Sequence, residues 1–136
     1  MSWVENLDDV RPIRAVFGET VALSNEINVH DVVIHRDGPE VRLRFDLEAF
    51  PSDPPRKWLV DGFNTVQVDL SLFDVLEFSM SGLARLMRCR IEVSRTDGLI
   101  VTQASSAGVS LVVRSRFASV VGLRPYVDAE RVTKRC

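Results

Sequence analysis

The chain has 136 residues, a length typical of one domain, and 46% of them are hydrophobic, which is enough for a single apolar core. With 17 basic and 19 acidic residues its formal charge is -2, so no overall field draws it to nucleic acid or to an anionic membrane. The sequence opens without a basic stretch followed by an apolar run, and it contains no run of roughly 18 apolar residues. These features predict a cytoplasmic, single-domain protein over residues 1–136.

Helix signals are confined to the first eighteen residues. Ser2 and Glu5 have the spacing of a capping box, which favours a short helical turn at this point. A second helix is predicted to open at Pro12 and to stop at Gly18. Its apolar face would carry the side chains at i, i+3 and i+4, which are Ile13, Val16 and Phe17. We expect this helix to cover a face or an edge of a sheet.

From residue 27 onward the apolar period changes from helical to two, which predicts strands. Residues 27–35 and 41–47 read as a hairpin joined by a turn at Asp37 and Gly38. Six further strands are predicted at 65–72, 76–80, 87–93, 99–104, 109–114 and 117–123. The strands at 87–93 and 99–104 are predicted to be joined by a turn at Asp97 and Gly98. About eight short strands with brief connections favour a mainly β fold, an antiparallel sheet that is strongly curled or packed as a sandwich.

The search for metal and nucleophile sites gives little. His30 and His35 are five residues apart, so on a regular strand they face opposite sides and would need a bulge to share a zinc ion. Cys89 lies inside an apolar alternation and reads as core, while Cys136 is the last residue. The seven glycines are scattered at turns and form no phosphate cradle. We therefore expect no catalytic residues, no metal and no cofactor.

Charged residues also favour structural interpretations. Asp8 with Asp9, or Asp53 with Asp61, would perform acid and base chemistry only if the fold brought them together in a cleft. Helix-start electrostatics for the first pair and turn formation for the second explain them more simply. Arginines on the polar strand faces could contact phosphates. Acidic residues share those faces and no aromatic residues interleave, so we predict cross-strand ion pairs and no nucleic-acid binding.

A long connection at residues 50–67 is the best candidate for a binding element. It holds three prolines and two large aromatics, Trp58 and Phe63. As partner-binding residues we select Arg56, Trp58 and Asp61, because an arginine, an aromatic ring and a carboxylate on one loop can anchor and orient a partner. The alternative is that Trp58 and Phe63 fold back and plug one end of the sheet.

At these residues the sequence resembles a known family. An ordered set comprises Trp3, Phe17-Gly18, Arg36-Asp37-Gly38-Pro39, Leu43-Arg44-Phe45-Asp46-Leu47, Pro54-Pro55, Lys57-Trp58 and Gly62-Phe63-Asn64-Thr65-Val66-Gln67. This set is similar to the immunity protein 50 family of bacterial polymorphic toxin systems, well over the first half of the chain and more loosely to Tyr126. The resemblance implies a cytosolic, non-catalytic antidote that binds a toxin encoded nearby, and it brings no list of binding residues.

Two other classes of function remain open from the sequence. The first is an enzyme or small-ligand binder that uses a cleft in the curled sheet, which a deep pocket with converging polar groups would favour. The second is a homo-oligomeric β scaffold that pairs through an exposed sheet edge. A monomer and a homodimer are both compatible with the sequence.

Overall fold

The structure is a computed structural model that describes residues 3–18 and 23–130. Ser2 of the predicted capping box and the terminal Cys136 lie outside these ranges. Within them, Trp3–Asn6 forms one turn of 3-10 helix and Arg11–Phe17 forms helix α1. Helix α1 ends at Gly18, which has a φ of 92°, so the predicted helix from Pro12 to Gly18 is confirmed.

Six antiparallel strands make up the sheet of the described residues. They are β1 (Glu26–His35), β2 (Glu40–Leu47), β3 (Thr65–Ser81), β4 (Arg88–Thr96), β5 (Leu99–Ser105) and β6 (Ser110–Tyr126), with a short helix α2 (Arg56–Val60) before β3. The sheet closes on itself in the order β1-β2-β3-β6-β5-β4. The predicted mainly β, antiparallel fold class is confirmed. The sheet, which was predicted to be strongly curled or packed as a sandwich, closes into a barrel.

The predicted number of about eight strands was too high, because two pairs of predicted strands are continuous. Strand β3 runs through Asp74, which has a φ of 54°, and its pairing with β6 shifts register between Val75 and Glu77. A β-bulge of this kind bends a strand and breaks its alternation without ending it. Strand β6 is likewise continuous from Ser110 to Tyr126, where two strands were predicted. A local change of period at a bulge is therefore easily mistaken for a loop.

Turn chemistry explains how the hairpins close. In the turn between β4 and β5, Asp97 and Gly98 have φ values of 52° and 78°, and Thr96 pairs directly with Leu99. Two central residues with positive φ define a type I′ turn, whose twist matches the flanking strands. The predicted turn is thus confirmed.

The barrel interior is filled by the inward-facing residues of the strands together with the N-terminal segment. Trp3 is 1% exposed and meets the ring of Phe45 edge-on, with centroids 5.4 Å apart. Backbone hydrogen bonds from Asp8 N to Ala118 O and from Val120 N to Asp9 O fix the segment to β6. Burial of a large apolar side chain such as that of Trp3 or Phe45 contributes about 1.5–3 kcal/mol to the stability of the fold. Cys89 is 2% exposed, as predicted for a core residue.

Candidate functional site

A buried carboxylate on the outside of the barrel is the most unusual feature of the described residues. On β2, Phe45 and Leu47 face the core, so Asp46 between them faces outward. Asp46 is nevertheless only 2% exposed. A buried carboxylate is costly unless hydrogen bonds satisfy it, so its neighbours determine whether this arrangement is stable.

Three side chains satisfy Asp46. His30 Nε2 lies 2.7 Å from Asp46 Oδ2, and the Tyr126 hydroxyl donates to the same oxygen. Gln67 Nε2 donates to Oδ1 at 3.3 Å. Gln67 pairs with Asp46 across the β2–β3 ladder, and Arg124 pairs with Gln67 across the β3–β6 ladder. The Arg124 guanidinium donates to Gln67 Oε1 at 3.1 Å. We call these five residues the Asp46 cluster.

A β-bulge brings His30 into this cluster. The register of β1 against β2 shifts between Val29 and Asp31, so His30 is the extra residue of the bulge. Bulges redirect side chains in this way, and they are frequent near functional sites. His30 keeps its side chain 41% exposed while it contacts the buried Asp46. It therefore connects the buried carboxylate with the surface.

A shallow pocket of about 290 Å³ adjoins the Asp46 cluster and is lined by His30, Gln67, Arg124, Pro125 and Tyr126. Pockets for small molecules usually hold roughly 300–1,000 Å³, so this one is at the lower limit of that range. It is large enough for one or two side chains of a partner. Its donors and acceptors are held by hydrogen bonds before anything binds, which lowers the entropic cost of recognising a polar group.

The three residues selected from the sequence lie together on and directly after α2. Arg56 and Asp61 are exposed, and Trp58 is half-buried, with its ring 6.0 Å from that of Phe50. The alternative of a folded-back Trp58 is therefore realised in part, since one side of the indole packs on the core. Phe63 is also half-buried. The contact role of Arg56, Trp58 and Asp61 stays a prediction.

Sequence reasoning overlooked two neighbours of these residues. Leu59 is 64% exposed and Val60 is 78% exposed, so α2 presents apolar side chains to solvent beside Arg56 and Asp61. Isolated exposed apolar residues are ordinary, but exposed apolar residues beside an arginine and an aromatic ring are typical of binding surfaces. We call these five residues, Arg56, Trp58, Leu59, Val60 and Asp61, the α2 surface.

Asn64 joins the α2 surface to the strand that carries Tyr126. Asn64 is 3% exposed, and its backbone N–H donates to Tyr126 O at 3.0 Å. Its side chain donates to Asp128 O at 3.0 Å and accepts from Asp128 N at 2.7 Å. Both the α2 surface and the Asp46 cluster are thereby fixed at the same end of the barrel.

Many of the other charged residues form ion pairs on the outer face. Arg44 lies between Asp31 and Asp69 on the adjacent strands, at 3.3 Å and 2.9 Å. The hydrogen bond to Asp69 raises the pKa of Arg44. Further pairs on the barrel wall are Arg42–Glu40, Arg90–Glu92, Arg114–Glu77 and Arg116–Asp74. The predicted mixed-charge face with cross-strand ion pairs is confirmed.

The other candidates from the sequence are separated in space or already paired. His35 lies across from Glu40 at the end of the hairpin, away from the partners of His30. Asp9 pairs with Arg11 at 2.8 Å, and the side-chain hydrogen bond from Arg11 lowers its pKa to about 2. Asp8 contacts Arg95 instead, at 2.9 Å. In the described ranges, no group of three His, Cys, Asp or Glu side chains is placed to hold a metal ion.

The architecture and these surfaces define a small, closed antiparallel β domain with a hydrogen-bonded polar cluster and an exposed helical surface at one end. The family model of immunity protein 50 matches residues 9–126, so the chain belongs to the immunity protein 50 family. The resemblance noted from the sequence is confirmed and extends through β6. No curated protein and no solved structure matches the chain. None of the helices in residues 3–18 and 23–130 is long and apolar enough to cross a bilayer.

Proposed function

We propose that this protein is a non-catalytic immunity protein that binds and neutralises a toxin encoded near its own gene, in the bacterial cytoplasm. The observation that carries the proposal is the family match over residues 9–126, which includes all six strands and α2. An antidote of this kind acts by covering a functional surface of its target, and it needs a stable, preformed shape to do so.

The fold supplies such a shape. A closed barrel with a packed core changes little on binding, so little conformational entropy is lost when a partner docks. The side chains of the Asp46 cluster are also held in place by their mutual hydrogen bonds. These two features support tight binding from a limited area, and tight protein inhibitors usually bury roughly 1,600 Å² in total.

We assign the toxin contact to the end of the barrel that carries the α2 surface and the Asp46 cluster. Trp58 is held on one side by Phe50, so it can offer its free edge at a low entropic cost. Arg56 and Asp61 supply charges of both signs at the margin, and Leu59 and Val60 supply apolar area between them. Aromatic and arginine anchors surrounded by weaker contacts are the usual pattern of energetic hot spots.

The test is co-expression of the neighbouring toxin gene product with this protein in a bacterial host. We expect growth to be rescued and the two chains to co-purify. Alanine at Arg56 or Asp61 should weaken the complex roughly fivefold or more, since truncated hot-spot residues commonly cost more than about 1 kcal/mol. Arg14→Ala is the matched control, because Arg14 is an exposed arginine on α1, outside the proposed contact.

Each result is informative. If a toxin kills equally well beside folded wild-type protein and no complex forms, the antidote role for that pair is wrong. If rescue and binding occur but the Arg56 and Asp61 variants bind as well as Arg14→Ala, the role stands and the assigned contact surface is wrong.

A further inference from the structure

The outer half of β3 has one open edge. Along its whole length β3 pairs with β6, as far as Ser81 with Ser110. On its other side the ladder to β2 ends where Glu40 meets Phe73, and the last backbone hydrogen bond there runs from Val75 N to Pro39 O at 3.0 Å. Among the described residues, 76–81 therefore have no strand partner on this side. Six residues of open strand correspond to roughly 20 Å.

Strand β1 borders the same opening in the barrel wall. It pairs with β4 only over residues 26–28, and one further hydrogen bond joins Val29 N to Met87 O at 2.9 Å. Beyond that point the described part of β1 pairs with β2 alone. The β1–β2 hairpin is the part of the sheet between β4 and β3, and it is shorter than β3. The closed sheet is thus interrupted at the hairpin tip.

Exposed apolar side chains concentrate around this opening. Five of the eleven exposed large hydrophobic residues in the described ranges belong to the segments that border it: Val33, Ile34, Leu76, Leu83 and Leu86. Natural edge strands are usually protected by lysine, proline or inward-pointing charges. Residues 76–81 contain neither lysine nor proline and only one charged residue, Glu77. This edge therefore lacks protection by lysine or proline, and its one irregularity is the bulge between Val75 and Glu77 at its beginning.

Two properties specify what the edge can accept. A row of unpaired backbone N–H and C=O groups is satisfied by another extended strand, not by a helix or a small molecule. The two carboxylates beside the edge are paired with arginines of β6, since Glu77 lies 3.7 Å from Arg114 and Asp74 lies 3.0 Å from Arg116. Repulsion between the carboxylates of two identical edges is therefore reduced.

We propose that the open edge of β3 pairs with the same edge of a second copy of this chain, antiparallel and about a two-fold axis. Such a pairing uses the same residues on both copies, as a closed two-fold dimer requires. It joins the two sheets through β3 and covers Leu76 on each copy. This inference goes beyond the antidote role and does not depend on it.

Sedimentation equilibrium of the purified protein over a wide concentration range tests the proposal. We expect the mass to rise with concentration from 15.3 kDa for the monomer towards twice that value. Leu76→Lys and Ser79→Lys place a charge on the edge and should each weaken association roughly tenfold or more. Val121→Lys is the matched control, since Val121 is 47% exposed against 53% for Leu76 but lies on β6, outside both the open edge and the α2 surface. Circular dichroism verifies that all three variants fold.

Amide hydrogen exchange locates the interface independently of mutation. In the wild type, protection of residues 77–81 should increase with protein concentration, and in Leu76→Lys it should not. A protein that stays monomeric throughout, or a dimer that both lysine variants leave intact, overturns the proposal. Edge amides that become protected only when a toxin is added would overturn it as well, because the edge would then belong to the toxin interface.

Discussion

Gly82 follows directly after β3, where the backbone passes very close to another part of the chain. Its φ is +85°, and a Cβ built on it would lie 1.9 Å from Gly108 O and 2.9 Å from Gly108 C. Both atoms belong to the backbone, so no side-chain rotation can relieve the contact. Gly82→Ala therefore forces the end of β3 away from the segment before β6.

The expected loss of stability has two parts. An L residue with positive φ costs about 1–2 kcal/mol relative to glycine. Displacing the backbone to make room for the added methyl group costs a further amount of about 1–3 kcal/mol, the usual magnitude for overpacking. Gly98 isolates the first part, because its φ is +78° and a Cβ there would meet nothing within 4 Å. We expect Gly82→Ala to be less stable than Gly98→Ala by about 2 kcal/mol, the middle of the overpacking range.

Urea denaturation followed by tryptophan fluorescence and by circular dichroism provides the measurement. Both probes should give the same midpoint if unfolding is two-state, which is necessary for the comparison. Equal free energies of unfolding for the two alanine variants would refute the reasoning, since the close approach of Gly82 to Gly108 would then contribute nothing. A Gly98→Ala variant as stable as the wild type would refute the conformational part instead.

Two further predictions concern the polar groups of the barrel wall. Tyr126→Phe removes a hydroxyl that donates to the buried Asp46 and should lower the free energy of unfolding by about 1–3 kcal/mol, measured by urea denaturation at neutral pH. Ser71→Ala should raise the pKa of Glu40, because the Ser71 hydroxyl is the largest cause of its lowered value. A lowered pKa stabilises the fold above the ordinary carboxyl pKa, and this contribution is lost as pH falls through the lowered value. The stability difference between wild type and Ser71→Ala should therefore shrink on acidification below the ordinary value, whereas a constant difference would show that Glu40 is not involved.

The strands were predictable because alternation records which face of a sheet is buried. On β2, the inward positions Val41, Leu43 and Phe45 are 0–1% exposed, as the period of two predicts. Their number was not predictable from the same signal. The positive φ at Asp74 bends β3 without breaking its ladder to β6, and only the register of a partner some forty residues away shows that the strand continues.

The Asp46 cluster could not be found by local pattern for a similar reason. Alternation places Asp46 on the polar face, where solvent is the default neighbour. Its burial depends on Tyr126, which is 80 residues away in the chain, and on a bulge that redirects His30. The argument that His30 and His35 face opposite sides assumes a regular strand, and the bulge at His30 removes that premise. Residue spacing alone does not show where a bulge occurs.

The length of β3 determines how far apart the two proposed interaction surfaces lie. The α2 surface immediately precedes Thr65 at the start of β3, whereas the open edge occupies residues 76–81 at its end. The 17-residue strand spans roughly 50 Å when its rise per residue is applied, so the two surfaces lie at opposite ends of the barrel. A dimer through the β3 edges would therefore leave both α2 surfaces free. We accordingly expect toxin binding and self-association to be independent, with a complex of two copies of each chain at high concentration. A toxin that dissociates the dimer in sedimentation experiments would contradict this arrangement, because the two surfaces would then have to overlap.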